Sequence, residues 1–500
     1  MQGNLKALKG LMAEIADLRA ASAVLEWDQQ VNMPPGAADD RGEQVATLER
    51  ILHIKATSDE LGKLLETLGS EVSQLDPDSD EARLIKVAKR QYDKQTRVPS
   101  EFVAEMARVT SVSQAVWQDA KAASDFKKFL PYLEKVIVLR RQYAEFFKPW
   151  DHVYDPLLDD FEPGMKTAQV QGIFNTLRPK QVALIKAIAE KPKVDRSFLF
   201  LEYPEKEQWD FGVKVISQFG YEWKHGRQDK SVHPFTTGFG LNDVRITTRF
   251  NTRFLPTAIF GSMHECGHAL YELGINKQYN RTPLADGASM AVHESQSRMW
   301  ENMVGRSRAF WEHFYPVLKD YFPSQLGNVD LEAFYKGINA VEPSLIRVEA
   351  DEATYNLHIM LRLELEIALM EGSLEAKDAP AAWNERMVEY LGIQPPNDEQ
   401  GVLQDVHWSF GGFGYFPTYA LGNLVSAQLW ERMAADLEDL DGLVANAQFE
   451  PILQWLRENV HRYGSKFEPQ ELVEKVTGSP ITPEPYMRYL EKKFGEIYQL

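Results

Sequence analysis

The sequence predicts a mainly α-helical chain with one small β-sheet or hairpin. Three observations predict it: apolar residues recur at three- and four-residue steps at both ends, turn signals cut the interior into helix-sized segments, and a single stretch breaks the helical pattern. With 500 residues, 44% apolar and 11% aromatic, the chain can bury a large core.

Taken in order, Leu5, Leu8, Leu11, Met12, Ile15 and Leu18 form the inner face of a first helix. Pro34-Pro35-Gly36, Asp76-Pro77, Lys191-Pro192, Gly327-Asn328, Ala379-Pro380 and Pro395-Pro396 mark turns between further helices. From Ser231 to Phe250 the chain is rich in β-branched and aromatic residues punctuated by glycine, which reads as a hairpin or small sheet. Pro256 then opens a helix with the buried stripe Ala258, Ile259, Phe260, Met263, Ala269, Leu270 and Leu273, and Gly274 is expected to end it in the left-handed conformation. A second helix opens near Ala291, and Ser409 to Pro417 is too glycine-rich for a helix interior, so it reads as a loop at a functional site. Tyr486, Leu490, Phe494 and Ile497 line a last helix. No segment of residues 1–500 reads as a linker, a repeat or a domain boundary, and the length alone permits two to four domains or one elaborate one.

A formal net charge of −18 argues against nucleic acid as a partner, since phosphate binding needs basic surface. No run of about 18 apolar residues is present to cross a membrane. The charged amphipathic start, Met1 to Arg19, has no cleavable apolar region, and the single cysteine, Cys266, leaves no disulfide within the chain. A cytoplasmic location is therefore expected.

The chemistry is concentrated in His264-Glu265-Cys266-Gly267-His268. Residues four apart on a helix share a face, so His264 and His268 can offer two imidazoles to one metal ion. Glu265 lies about 100° around the helix, within reach of a water on that ion, whereas Cys266 lies about 200° away from His264. Random order would give fewer than about 0.04 such boxes in this composition. Gly261 and Gly267 each weaken the helix by about 1 kcal/mol, which is tolerable if a backbone or a substrate approaches there.

A catalytic site needs a third protein ligand and an open position. A third histidine six residues on is excluded, because position 274 is glycine. Glu294, Glu301 and His293 on the following helix are the alternatives, and spacing alone leaves them open.

Beyond the box, five further motifs resemble the M32 family of metallocarboxypeptidases. They are His233-Pro234-Phe235; Asp243-Val244-Arg245-Ile246-Thr247; His293-Glu294-Ser295-Gln296; Ile346-Arg347-Val348-Glu349-Ala350-Asp351; and Gly401-Val402-Leu403-Gln404-Asp405-Val406-His407-Trp408. Trp27-Asp28 to Met33-Pro34 is also similar to the family, so the resemblance spans most of the chain.

That resemblance implies Glu294 as the third ligand, and a large helical single-domain peptidase whose two lobes flank a deep groove. It further implies one divalent ion per chain, zinc first with cobalt or manganese as alternatives, and a homodimer. The expected activity is release of single amino acids, with broad specificity, from peptides with a free C-terminus, Glu265 serving as general base and then acid. Arg245 and Arg347 are the candidates for binding the substrate α-carboxylate, because a guanidinium matches a carboxylate as a fork. His233 is a candidate for closing the groove, and His407, Tyr415 and Tyr419 for donating to the oxyanion. A helical zinc oligopeptidase or dipeptidyl carboxypeptidase is the competing enzyme, and a non-catalytic helical metal-binding protein is the alternative of another class.

Overall fold

The computed structural model describes all 500 residues. Twenty-one α-helices and three short strands follow one another along the chain. The expected terminal helices are present as Gln2–Val31 and Glu484–Tyr498. Leu5, Leu8, Met12 and Ile15 are buried on the first, and Tyr486, Leu490, Phe494 and Ile497 on the last. Ala379-Pro380 marks a helix start, since Pro380 occupies the first turn of Ala379–Leu391, where its missing N–H costs nothing. No helix is long and apolar enough to cross a membrane.

Two apolar cores result. The larger joins 98 buried residues between Ala120 and Tyr498 and includes residues of the box helix and of the helix that carries Glu294. The smaller joins 15, mostly from the N-terminal helices, and reaches over to Leu241, Ile275, Tyr279 and Leu284 on either side of the His-Glu box. The N-terminal helices therefore lie against the loops that flank the box helix.

The Ser231 to Phe250 stretch supplies two of the three strands. β1 (Gln228–Lys230), β2 (Thr236–Gly238) and β3 (Val244–Thr248) form a sheet in the order β1-β3-β2. β2 pairs antiparallel with β3, Thr237 opposite Arg245, which is the predicted hairpin. β1 pairs parallel with β3 and was not foreseen, because Gln228-Asp229-Lys230 carries no β-forming residue. β2 is left as an edge strand.

The box helix runs from Pro256 to Gly274, as the proline start and apolar stripe predict. Ile259, Phe260, Met263 and Leu270 are buried on it, each contributing about 1.5–3 kcal/mol. Gly274 corrects an expectation: it is the last helical residue and has no positive φ, and the chain leaves in an extended conformation at Ile275. A Cβ at Gly274 would lie 2.4 Å from Nδ1 of His461, so the glycine makes room for a ring rather than a turn.

Two other glycines set the spacing of the helices that matter. A Cβ on Gly267 would stand 2.6 Å from Cα of Ser297 and 2.7 Å from the Gln296 carbonyl oxygen, so the box helix presses directly on the backbone of the next helix, Met290–Arg298. On that helix's other side, a Cβ on Gly422 of helix Pro417–Asp436 would lie 2.6 Å from Glu294 Cβ. Met290–Arg298 is thus clamped between two glycine contacts. Gly261 is different, since nothing lies within 4 Å of where its Cβ would be.

Candidate active site

Three side chains from two helices converge. Nε2 of His264 lies 3.6 Å and Nε2 of His268 lies 3.5 Å from Oε2 of Glu294, and the three ligand atoms all fall within 4.8 Å of one another. Tetrahedral bonds of about 2.1 Å place ligand atoms roughly 3.4 Å apart, so these spacings fit one zinc-sized ion. The donor set of two imidazoles and one carboxylate suits zinc and accepts cobalt or manganese. Cys266 is fully buried on the opposite face, and burial pushes its thiol up.

The two competing candidates for the third ligand occupy the other side of the histidines. His264 Nδ1 lies 2.9 Å from Oε2 of Glu301, and His268 Nδ1 lies 2.6 Å from Nδ1 of His293, whose Nε2 is 3.3 Å from Glu272. With both Nδ1 atoms engaged, both Nε2 lone pairs face Glu294, the arrangement that fixes tautomer and ring orientation at metal-binding histidines. Glu301 reaches His264 from a π-helical turn, Met299–Val304, that directly continues the Met290–Arg298 helix. Spacing could name these residues but not which nitrogen of the histidines each one faces.

Glu294 is held from several sides. Its Oε1 accepts from Arg298 Nε at 2.7 Å and its Oε2 from Ser297 Oγ at 3.2 Å. Burial opposes its charge, but Arg298, His264 and His268 outweigh burial and keep its carboxyl well below the usual range. Burial also opposes the Glu301 charge, but Arg298 and His264 hold its carboxyl down to about 2. Burial works against the His264 imidazolium too, yet Glu294 and Glu301 raise its pKa, whereas burial takes His268 down to about 3 and keeps its ring neutral, the form that can bind a metal. The glutamate helix itself starts from Ser289 Oγ, which accepts from Val292 N–H, and from buried Glu162, whose Oε1 accepts from Ala291 N–H at 2.5 Å.

Glu265 sits beside the triad and is buried. Thr236 on β2 donates its Oγ1 hydrogen to Glu265 Oε2 at 2.7 Å, which ties the sheet edge to the box helix. Burial raises the Glu265 carboxyl above its ordinary range, with His264 and the Thr236 hydroxyl opposing.

The remaining sequence candidates fall into separate groups. His407, Tyr415 and Tyr419 come together, with ring centroids 5.3 Å apart for His407 and Tyr415 and for Tyr415 and Tyr419. Arg347 joins them, its guanidinium 5.0 Å from the Tyr419 ring centre. Arg347 is buried and donates through Nε and Nη2 to Oδ1 of Asp405 and through Nη1 to the Tyr355 hydroxyl. Asp405 is shared with fully buried Arg362, a residue no motif had flagged. Burial lowers His407 to about 4, so its ring is neutral. Arg298, which grips Glu294, lies over the same Tyr355 ring at 4.7 Å and connects this group to the triad. Arg245 lies elsewhere, in a fork with Asp243 at 2.9 and 2.8 Å and beside the rings of Trp27 and Phe239. His233 is exposed in the connection between β1 and β2. His461, missed in the sequence, is fully buried and bonds Gln296 at 2.9 Å.

Similarity to known proteins extends over almost the whole chain. The model of the family described as "Carboxypeptidase Taq (M32) metallopeptidase" matches residues 7–494. Thermostable carboxypeptidase 1 of Thermus thermophilus is 42% identical, over 97% of either chain, and carboxypeptidase 1 of Bacillus subtilis is 38% identical over 98% of either. The crystal structure of the M32 carboxypeptidase from Deinococcus radiodurans superposes with a TM-score of 0.97 at 41% identity, covering all of both chains. A full-length family match, relatives at this level of identity and a shared helical fold together place the chain in the M32 family of metallocarboxypeptidases.

Proposed function

We propose that this chain removes single amino acids from peptides with a free C-terminus, using one divalent ion held by His264, His268 and Glu294. The observation that carries this reading is the triad itself, with Glu265 next to His264 on the same helix. When bound, the ion supplies polarisation of the scissile carbonyl and acidification of a water molecule. Glu265 takes that water's proton at its carboxylate and returns it to the leaving amine, and its raised pKa suits both halves of the transfer. Thr236 holds the carboxylate in place from the strand edge, and β2, paired on its outer edge with no other strand, is the edge to which we assign the backbone of an extended peptide. His407, Tyr415 and Tyr419 are the donors available for the oxyanion.

Of the two arginines, Arg347 is the better anchor for the substrate carboxylate. Arg245 is matched one to one by Asp243, whereas Arg347 and Arg362 share the single Asp405, which leaves one positive charge in excess in a buried cluster. We assign zinc as the ion, broad specificity at the released residue, a groove between two lobes of one domain, and a cytoplasmic homodimer to the same proposal.

The test compares peptides with free and amidated C-termini by mass spectrometry. Stepwise shortening of the free peptide and loss of nearly all activity on the amide are expected. Cleavage of the amide at a similar rate, or release of dipeptides, would replace this reading with the oligopeptidase or dipeptidyl carboxypeptidase. Arg347→Ala should cut kcat/KM by about 100-fold or more with metal content intact, and Arg245→Ala by less.

A further inference from the structure

Glu366 lies on helix Tyr355–Glu371, outside every recognised motif, and is fully buried. Its two carboxylate oxygens receive three donors. Oε1 accepts from Trp408 Nε1–H at 2.8 Å, and Oε2 accepts from the Tyr154 hydroxyl at 2.6 Å and from Gly414 N–H at 3.0 Å. No cation bonds to it, since the nearby Arg140 is turned to Asp160. An isolated buried carboxylate is costly unless its hydrogen bonds are complete, and here two of the three come from one loop.

Two of the three donors adjoin residues of the candidate site. Trp408 follows His407, and Gly414 precedes Tyr415. Gly414 is pressed onto the chain behind it, with φ of +97° and a Cβ position 2.2 Å from the Leu157 carbonyl oxygen. One helical turn before Glu366, Arg362 donates to Asp405 and to Gln404 Oε1 at the start of the same loop. The helix therefore grips the loop at 404–405, 408 and 414.

We infer that Glu366 is a positioning residue for the reaction, holding His407 and Tyr415 in register with the metal triad through Trp408 and Gly414. The inference rests on the proposed peptidase reading. Only a carboxylate meets all three donors, because a glutamine in its place would turn an NH2 group toward either Trp408 Nε1–H or Gly414 N–H.

The experiment measures kcat and KM per metal-loaded site for wild type and Glu366→Gln, well below each protein's unfolding midpoint. Metal affinity is measured by competition with a chelator. Glu366→Gln is expected to lose about 10- to 100-fold in kcat with a metal dissociation constant within about twofold of wild type. A kcat per loaded site within about twofold of wild type, with only the unfolding midpoint lowered, overturns the inference. If Glu366→Gln does not fold, Trp408→Phe and Tyr154→Phe each remove one donor and leave the carboxylate. A graded loss of kcat for Trp408→Phe, larger than for Tyr154→Phe, then supports the inference, and unchanged kcat in both overturns it. A wild-type protein without metal-dependent hydrolysis would instead sink the peptidase reading, so the two failures are distinct.

Discussion

Replacing Gly267 by alanine should reverse the usual effect of that exchange. In an exposed helix interior, Gly→Ala stabilises by about 1 kcal/mol. At Gly267 the new Cβ would stand 2.6 Å from Ser297 Cα and 2.7 Å from the Gln296 carbonyl, both backbone atoms that cannot swing aside. Restoring ordinary contact requires the box helix and the glutamate helix to part by roughly 0.8 Å, an overpacking that costs about 1–3 kcal/mol. Glu294 rides on the displaced helix, and metal sites tolerate about 0.2 Å in bond length, so the dissociation constant of the ion should rise about tenfold or more. Gly261→Ala on the same helix meets nothing within 4 Å and should stabilise by about 1 kcal/mol with metal affinity unchanged. Denaturant unfolding and calorimetric metal titration on both variants read the two quantities. If Gly267→Ala matches Gly261→Ala in both, the close approach of the two helices does not set the site.

Two further outcomes follow from the surroundings of the triad. Glu301→Gln keeps an oxygen for His264 Nδ1–H but removes the charge shared with Arg298, and should weaken metal binding by about 10- to 100-fold, read by chelator competition; an unchanged constant would deny Glu301 its supporting role. Glu162 should contribute a fall in stability as pH rises from about 5 to 8, because burial pushes it up to about 8 from an ordinary 4.5, so the folded state holds a proton that the unfolded state has released. Glu162→Gln, which can still accept from Ala291 N–H, should remove a slope of up to about 1.4 kcal/mol per pH unit in that window, and an equal slope in variant and wild type would contradict the assignment.

The parts of the molecule legible in its sequence were those governed by local rules. The box helix could be bounded at Pro256 and Gly274, and the β2–β3 pair located, because proline, an apolar stripe and β-branched residues act over a few positions. Long-range packing was not legible. Gly274 resembled a helix cap, yet it answers to His461, far along the chain. Glu301 and His293 have the chemistry of ligands, and only the three-dimensional arrangement turns them to the Nδ1 side of the histidines. Arg362 and Glu366 gave no signal, since a helix buried on all sides has no polar face by which periodicity could single them out.

The most direct test is a calorimetric titration of zinc into chelator-stripped wild type, Glu294→Ala and Glu265→Gln, with hydrolysis of a free peptide followed in parallel. One equivalent should bind wild type and restore hydrolysis, Glu294→Ala should lose tight binding, and Glu265→Gln should bind one equivalent without turnover. Undiminished zinc affinity in Glu294→Ala, or full hydrolysis by Glu265→Gln, would contradict the assigned ligands and base.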